Sequence, residues 1–303
     1  MTPAPVRRRL DSELVRRGLA GSREGARTLV ASGAVLVGGA PADKASRLVA
    51  ASEAVVVLAG DDTARFVSRG GAKLDAALTR FGVAVAGRRC LDAGASTGGF
   101  TDCLLRRGAA QVVAVDVGYG QLDPSLRHDR RVRVLERTDV RALDPAAVGG
   151  PFPVVVADLS FISLATVAPV LAGTLALPDA ELVVLVKPQF EAGRRHAARG
   201  RGVIRDPAVR REALERAASA LVSQGAAIMG AMASPLLGPA GNAEFLVRAR
   251  AHAAPVAPGG TGVTPGSLEA GVLAMLDAAV GEAPDAPPAG AQAAPRAPGP
   301  GDD

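Results

Sequence analysis

The chain of 303 residues predicts an α/β fold with a doubly wound, mostly parallel sheet. Between residues 65 and 250, apolar segments alternate with segments of helical periodicity, which is the order of a β-α-β chain. Several apolar segments are continuous runs, as expected of strands that helices cover on both faces. A glycine-rich stretch follows the first of these strands and predicts a tight turn into a helix.

The elements of this sheet follow from that alternation. Strands are expected at Arg89–Ala93, Gln111–Asp116, Val132–Leu135, Val154–Ala157, Leu182–Val186, Ala226–Met232 and Phe245–Arg248. Helices are expected at Lys73–Phe81, Thr101–Arg107, Gln121–Arg127, Leu164–Ala176, Val209–Gln224 and Ser267–Val280. The chain beyond these elements is rich in Pro, Ala and Gly, so we expect it to be a disordered tail.

A small α/β module is predicted ahead of the sheet. Apolar residues recur at helical spacing from Leu10 and again from Ala26, which indicates two short amphipathic helices. Ser22 is a predicted N-cap of the second helix and Gly33 its end. Two short strands are expected after it, at residues 34–37 and 54–58. The predicted domain limits are 1–60 for this module, 61–67 for a linker, 68–280 for the second domain and 281–303 for the tail.

The composition favours an anionic partner and no membrane. The net charge is +5 and the isoelectric point is near 10.0, which suits an anionic partner without establishing one. No segment approaches the roughly 20 apolar residues that span a bilayer. The basic start continues into Asp11 and Glu13, where a signal peptide needs an apolar stretch. Because two cysteines are too few for a disulfide framework, we expect a reduced, cytoplasmic protein.

Arginines on the two predicted helices of the module are candidates for RNA binding. Arg16 and Arg17 lie on the first helix, and Arg23 and Arg27 share a face of the second. Most charged helix faces are simply solvated, and that alternative stays open. We favour RNA binding because no acidic residue balances these arginines at helical spacing. The candidate RNA-binding residues are Arg7, Arg16, Arg17, Arg23, Arg27 and Arg65.

Lysine is rare in this chain. Of 35 basic residues only Lys44, Lys73 and Lys187 are lysines, and the others are arginines. Lysine can lose its proton and act as a base, whereas arginine cannot. Lys73 and Lys187 lie on either side of the glycine-rich turn in the sequence. Their positions therefore suggest an enzyme that removes a proton from a weak acid, although chance placement of three residues remains possible.

The glycine-rich turn is a candidate cofactor site. It follows a strand that ends near Asp92, and its spacing differs from the G-x-G-x-x-G pattern of dinucleotide-binding folds. We expect the Asp92 carboxylate to face a cation, such as the amino group or the sulfonium of S-adenosylmethionine. Asp116 ends the next strand, where an acid that binds ribose hydroxyls is expected. The candidate cofactor residues are Asp92, Gly94, Ser96, Gly98, Gly99, Phe100, Asp116 and Asp139.

Four further residues are expected at one edge of the sheet. Asp158 and Lys187 each follow an apolar strand, and ligands of open α/β sheets bind at the carboxyl ends of the strands. Glu244 begins the last strand, so it reaches the same edge if that strand is antiparallel. Lys73 lies on a helix that could cap this edge. Each residue alone would more often form a structural salt bridge.

Together the four residues suit methyl transfer to a ribose 2′-hydroxyl. That hydroxyl is a very weak acid, so its methylation needs a base and in-line positioning. Lys187 is the predicted base, and the carboxylates of Asp158 and Glu244 would orient the two amines. The candidate catalytic residues are Lys73, Asp158, Lys187 and Glu244.

Other methylation chemistries lack their residues in this chain. Methylation of a base amino group usually shows Asn/Asp-Pro-Pro-aromatic after the fourth strand, whereas Asp158 is followed by Leu-Ser-Phe. Methylation of a pyrimidine carbon needs a cysteine nucleophile, but Cys90 is expected inside a strand. The three histidines lack metal-ligand spacing, so no metal is expected. Phe161 and Phe190 would either stack on a target base or pack in the core.

These motifs closely resemble the TlyA family of FtsJ-like rRNA 2′-O-methyltransferases, whose members often carry the name hemolysin. The resemblance covers about residues 6–280. It is carried by Val67-Ser68-Arg69-Gly70-Gly71-Ala72-Lys73-Leu74, Leu91-Asp92-Ala93-Gly94-Ala95-Ser96-Thr97-Gly98-Gly99-Phe100-Thr101, Asp116-Val117-Gly118-Tyr119-Gly120-Gln121-Leu122, Ala157-Asp158-Leu159-Ser160-Phe161-Ile162-Ser163-Leu164, Val186-Lys187-Pro188-Gln189-Phe190-Glu191 and Gly238-Pro239-Ala240-Gly241-Asn242-Ala243-Glu244-Phe245.

The resemblance implies a Rossmann-like, seven-stranded class I methyltransferase domain behind an S-four-type RNA-binding domain. It implies S-adenosylmethionine as cofactor, cytidine in ribosomal RNA of one or both subunits as substrate, and a monomer. It also implies a Lys–Asp–Lys–Glu tetrad at Lys73, Asp158, Lys187 and Glu244. In actinobacterial members this modification sensitises ribosomes to capreomycin and viomycin. The alternatives are a membrane-active hemolysin and an inactive rRNA-binding assembly factor.

Overall fold

The computed structural model describes residues 7–20, 22–31, 35–37, 40–42, 44–50, 53–57, 65–192, 203–251 and 268–284. These residues form two compact units, one up to residue 57 and one from residue 65 to residue 284. Gly33 and most of the predicted tail lie outside the described residues. Within the described residues, no helix combines the length and the apolar character that crossing a membrane requires.

The described part of the N-terminal unit contains two helices and five short strands. In chain order they are β1 (Arg7–Arg9), α1 (Leu10–Arg16), α2 (Arg23–Ala31), β2 (Val35–Val37), β3 (Ala40–Pro41), β4 (Leu48–Ala50) and β5 (Val55–Val57). Leu10, Leu14 and Val30 are buried in a common core. The predicted N-cap is confirmed, because Ser22 Oγ accepts a hydrogen bond from Gly25 N at 3.0 Å. Both predicted helices and both predicted strands are present, and strands β1, β3 and β4 were not predicted.

The second unit is built on a seven-stranded sheet, as predicted. Its strands are β6 (Arg89–Ala93), β7 (Gln111–Val115), β8 (Val132–Leu135), β9 (Phe152–Ala157), β10 (Ala176–Val186), β11 (Ala227–Ala233) and β12 (Phe245–Arg250). The order across the sheet is β11-β12-β10-β9-β6-β7-β8. From β10 to β8 neighbouring strands are parallel, whereas β12 is antiparallel to both β10 and β11. The last strand is therefore antiparallel, which is the condition under which Glu244 reaches the same edge of the sheet.

Helices cover both faces of this sheet. They are α3 (Arg69–Phe81), α4 (Gly99–Arg106), α5 (Pro124–Arg127), α6 (Leu164–Ala168), α7 (Pro188–Glu191), α8 (Pro207–Val222) and α9 (Ala270–Gly281). Successive residues of a strand point to opposite faces. Val155 is buried in one core cluster, and its neighbours Val154 and Val156 are buried in the other. Burial on both faces explains why these strands are continuous apolar runs.

Several predicted boundaries differ from the structure, and the two largest differences are at one helix end and one strand start. The helix predicted over Leu164–Ala176 ends at Ala168 and continues as a π-helical turn, because Pro169 has no backbone N–H for a regular helical hydrogen bond. Strand β10 begins at Ala176, six residues earlier than predicted. Its first part contains exposed residues, and its pairing with β9 shifts register before Glu181, so the apolar pattern does not show it.

Candidate active site

A cavity of about 500 Å³ lies at the carboxyl ends of β6, β7 and β9. The chain leaves β6 towards β7 and later returns to its other side as β9, and ligands of doubly wound sheets bind at such a switch point. The predicted site residues that line the cavity are Gly94, Ser96, Asp116, Asp139 and Asp158. Residues that line it without having been predicted as site residues include Gln121, Val140 and Ser160. Nothing in their residue type marks them in the sequence.

Gly94 brings two strand ends together at the floor of the cavity. Its φ is +86°, and a Cβ on it would lie 2.5 Å from the carbonyl oxygen of Asp158. Asp158 N in turn donates a hydrogen bond to Ala93 O at 3.0 Å. Any side chain at position 94 would therefore be strained and would push the two segments apart.

Asp116 orders the backbone around the cavity. Its carboxylate accepts hydrogen bonds from Ser96 N at 2.8 Å and from Gly118 N at 2.6 Å. Each carboxylate oxygen can accept more than one bond, so the group still has capacity for a ligand hydroxyl. Asp139 also lines the cavity, and its hydrogen bond with the Arg141 guanidinium lowers the pKa of its carboxyl.

Asp92 lies apart from the cavity, which corrects the expectation that its carboxylate faces the ligand. The side chain is completely buried, and its Oδ2 accepts a hydrogen bond from Thr101 Oγ1 at 2.6 Å. Its Oδ1 has no hydrogen-bond partner among the described residues. Burial raises the pKa of the Asp92 carboxyl to about 7, above its ordinary range. Asp92 therefore supports the turn from inside.

Three more predicted cofactor residues, Gly98, Gly99 and Phe100, do not line the cavity. Gly98 has a φ of +97°, and a Cβ there would lie 2.3 Å from Leu126 Cδ1. A Cβ on Gly99 would lie 2.3 Å from Ser68 Oγ. Phe100 is buried in the core. Close packing at the start of α4 accounts for these glycines, and sequence alone does not separate this cause from ligand contact.

The four candidate catalytic residues form two ion pairs at the predicted edge of the sheet. Lys187 Nζ lies 2.6 Å from Asp158 Oδ1, and Lys73 Nζ lies 2.5 Å from Glu244 Oε2. Phe245 pairs with Val186 across β12 and β10, which places Glu244 at the same edge as Lys187. The Lys73–Glu244 pair is almost fully buried, whereas Asp158 of the other pair lines the cavity.

Exposure separates the two candidate aromatic residues. Phe161 lines the cavity with 90% of its surface exposed and a φ of +64°, so core packing is wrong for this residue. Its ring lies 5.1 Å from the half-buried ring of Phe190. Within the described chain no group of three His, Cys, Asp or Glu side chains could hold a metal.

Neither cysteine is placed to act as a nucleophile. Cys90 lies inside β6 and Cys103 inside α4, and both are free and buried. Burial raises the pKa of each thiol to about 12. A thiolate, which is the reactive form, is therefore strongly disfavoured at both positions.

Acidic residues do balance the arginines of the N-terminal unit, so that part of the argument for RNA binding was wrong. Glu13 forms ion pairs with Arg16 at 2.6 Å and Arg17 at 2.8 Å, at the helical spacings i+3 and i+4. Buried Asp11 lies 3.4 Å from Arg23 and 3.5 Å from Arg27. The packing of α1 against α2 creates the Asp11 contacts, which helical spacing does not reveal.

The arginines of the N-terminal unit differ in the exposure of their side chains. The side chains of Arg23 and Arg27 are 55% and 60% exposed, and Arg16 is half exposed. Arg17 is mostly buried and donates to the backbone oxygens of Glu53 and Ala50, which is a structural role. Arg7 and Arg65 are exposed.

Comparisons with known proteins agree with the geometry. Residues 66–251 match the FtsJ-like methyltransferase family, and residues 8–55 match the S4 domain. The 16S/23S rRNA (cytidine-2′-O)-methyltransferase TlyA of Mycobacterium tuberculosis is 54% identical, over 80% of this chain and 89% of that protein. Hemolysin A of Brachyspira hyodysenteriae is 38% identical, over 78% of this chain and 98% of that protein.

A solved structure gives the same result. The structure of a protein from Streptococcus thermophilus that is named a hemolysin superimposes with a TM-score of 0.67 and 34% identity, over 92% of this chain and 98% of that chain. The chain belongs to the TlyA family of FtsJ-like methyltransferases, with an S4 domain at its N-terminus.

Proposed function

We propose that this enzyme transfers a methyl group from S-adenosylmethionine to the ribose 2′-hydroxyl of cytidine in ribosomal RNA. The observation that carries the proposal is the Lys187–Asp158 pair at the rim of the cavity, with the Lys73–Glu244 pair at the same sheet edge. The printed function of the Mycobacterium tuberculosis relative supports the choice of substrate. Ribosomal subunits in the cytoplasm are the proposed partners, and the protein would act as a monomer.

The cavity fits the proposed cofactor. Its volume of about 500 Å³ is in the usual range for sites that enclose a small molecule. Gly94 lines the cavity without a side chain, Asp116 offers acceptors for ribose hydroxyls, and Asp139 is a further polar contact. When bound, S-adenosylmethionine supplies a methyl group on a positively charged sulfur. The other predicted cofactor residues would act indirectly, through the packing of the turn.

Lys187 is the proposed base of the reaction. Its amine would take the proton of the 2′-hydroxyl, and the adjacent Asp158 carboxylate would hold it in place and stabilise the ammonium that forms. Lys73 is buried against Glu244, so it would contribute positive charge and rigidity at the sheet edge. Exposed Phe161 is available for stacking with the target base.

RNA binding is assigned to the S4 domain and the linker. The exposed guanidinium groups of Arg16, Arg23 and Arg27 can still contact phosphates, because ion pairs near a protein surface are weak and exchange partners readily. Arg7 and Arg65 are exposed and complete the proposed contact set. The buried Arg17 would support the fold of the domain.

A methyl-transfer assay tests the proposal. The purified protein is incubated with each ribosomal subunit and with S-adenosylmethionine that carries a labelled methyl group, and the RNA is then digested to nucleosides. We expect label in 2′-O-methylcytidine. Label on a base would contradict the proposed chemistry, and absence of label from RNA of both subunits would favour an inactive RNA-binding protein.

A further inference from the structure

The amine of Lys187 has two neighbours of different character. It lies 2.6 Å from Asp158 Oδ1 in an ion pair, but that oxygen accepts no hydrogen bond from the described residues. The amine donates a hydrogen bond to Ser160 Oγ at 2.8 Å. Charge attraction depends on distance, whereas a hydrogen bond also depends on angle. Among the described contacts of this amine, Ser160 therefore provides the directional one.

Direction matters for a base. A neutral amine has two N–H bonds and one lone pair, and proton transfer requires the lone pair to point at the proton. If one N–H is fixed, rotation about the last bond of the side chain is restricted. An amine held by charge alone would keep the same distance to Asp158 while it rotates.

We propose that Ser160 is a positioning residue for the methylation reaction: its hydroxyl accepts one N–H of Lys187 and so directs the lone pair towards the 2′-hydroxyl. The inference rests on the proposed function, with Lys187 as the base. Ser160 is exposed, lines the cavity, and lies two residues beyond Asp158 on the β9–α6 loop. It is therefore close to the reacting groups without being one of them.

The loop that carries Ser160 is fixed at both ends. At its start, Asp158 N donates to Ala93 O at 3.0 Å. At its end, the Glu191 carboxylate accepts hydrogen bonds from Ser163 Oγ at 2.6 Å and from Leu164 N at 2.7 Å. Glu191 is buried and lies four residues beyond Lys187. The segment that carries the amine thus also fixes the loop that carries its acceptor, and such support is what holds a site in one geometry.

The proposed step balances with Ser160 unchanged. The Lys187 lone pair takes the hydroxyl proton while the ribose oxygen forms a bond to the methyl carbon. The bond between that carbon and sulfur breaks, and its electron pair stays on sulfur as the thioether of S-adenosylhomocysteine. The Lys187 ammonium afterwards releases its proton to water. Ser160 accepts a hydrogen bond throughout and keeps its own proton.

Replacement of Ser160 tests the inference. The rate of methylation is measured while the concentrations of ribosomal subunits and of S-adenosylmethionine are varied. Ser160→Ala should lower kcat by about 10- to 100-fold, the cost of a misdirected catalytic group, with the KM of both substrates within about twofold. Ser160→Thr retains the hydroxyl and should restore most of kcat. Ser223→Ala is the matched control, because Ser223 is an exposed serine whose described hydroxyl contacts are with Ala220 O and Gln224 Nε2, near it in the chain and far from the cavity residues in sequence.

The outcomes separate this inference from the proposed function. A wild-type kcat in Ser160→Ala would overturn the positioning role of Ser160, and so would a rise in KM alone. An equal loss of kcat in Ser160→Thr, with an unchanged unfolding temperature, would also overturn it. If Ser160→Ala unfolds at a lower temperature, the Thr variant decides between positioning and stability. Recovery of kcat in a Ser160→Thr enzyme of the same measured stability would support the positioning role. Absence of methylation by the wild-type enzyme would overturn the proposed function and this inference with it.

Discussion

The two lysines of the candidate active site have different surroundings. The Lys73 side chain is 6% exposed and bonded to a glutamate that is 1% exposed. Lys187 is 11% exposed, and its partner Asp158 is 23% exposed and lines the cavity. A base must reach substrate and return its proton to water. The greater access of the Lys187 pair therefore favours Lys187 as the base.

Replacement of Lys187 by arginine separates charge from proton transfer. A guanidinium stays protonated at any usable pH, so Lys187→Arg should keep cofactor binding and lose methyl transfer by about 100-fold or more. Single-turnover methylation measures this loss. Lys44→Arg is the control, because Lys44 is exposed in the N-terminal unit. A rate close to wild type in Lys187→Arg would mean that the position supplies only charge.

Asp92 should make stability depend on pH. Burial raises the pKa of its carboxyl to about 7, whereas the unfolded chain titrates near its ordinary value of 3.8. Between these values the folded state holds a proton that the unfolded state has lost, so stability falls as pH rises from about 4 to about 7. The loss is at most about 4 kcal/mol.

Asp92→Asn tests this effect, because the amide resembles the protonated acid and still accepts from Thr101. Urea unfolding near pH 5 and pH 8 should show a variant that is more stable than wild type by a margin that grows with pH, up to about 4 kcal/mol. Parallel pH profiles for the two proteins would show that Asp92 does not titrate in this range.

Among the elements, α1 and α2 carry the clearest consequence for RNA binding. Arg23 and Arg27 are exposed on α2, and their contacts with Asp11 at 3.4 and 3.5 Å are loose. The double change Arg23→Ala, Arg27→Ala should weaken rRNA binding and reduce its salt dependence by up to about one unit of slope per lost phosphate contact. Binding titrations at several salt concentrations measure both quantities.

A matched pair in the second unit controls for the loss of charge. Arg80 and Arg216 are half-exposed arginines in surface ion pairs, so Arg80→Ala, Arg216→Ala removes the same charge elsewhere. Cofactor affinity should be unchanged in both double variants. If the wild type and the Arg23/Arg27 variant have equal RNA affinity and equal salt slope, these arginines form only a solvated helix face and do not contact RNA.

Element boundaries were predictable where burial sets the pattern. Strand β6 lies where the apolar run predicts it, because it runs through the core of the parallel sheet between β9 and β7. The start of β10 and the π-helical turn at Pro169 were not predictable in the same way. Backbone pairing determines where β10 starts, and the missing N–H of Pro169 determines the π-helical turn. Neither produces a periodic apolar pattern in the sequence.

At the scale of the whole molecule, topology made the grouping of the candidate catalytic residues predictable. Parallel strands bring Asp158 and Lys187 to one edge, and the antiparallel last strand adds Glu244. The cofactor turn was predictable only in part. Glycine serves both the close approach of two strand ends, as at Gly94, and close helix packing, as at Gly98. The position of the buried Asp92 and the contacts of Asp11 depend on tertiary packing, which sequence spacing does not encode.

The proposed reaction is the methylation of cytidine ribose in ribosomal RNA at this site, with Lys187 as the base. Its most direct test is a map of 2′-O-methyl groups on ribosomal RNA from three kinds of cells. The first lacks the protein, the second produces the wild type, and the third produces Lys187→Arg. We expect cytidine 2′-O-methylation that is present with the wild type and absent in the other two samples. Identical maps in all three, or a map with Lys187→Arg that equals the wild-type map, would contradict it.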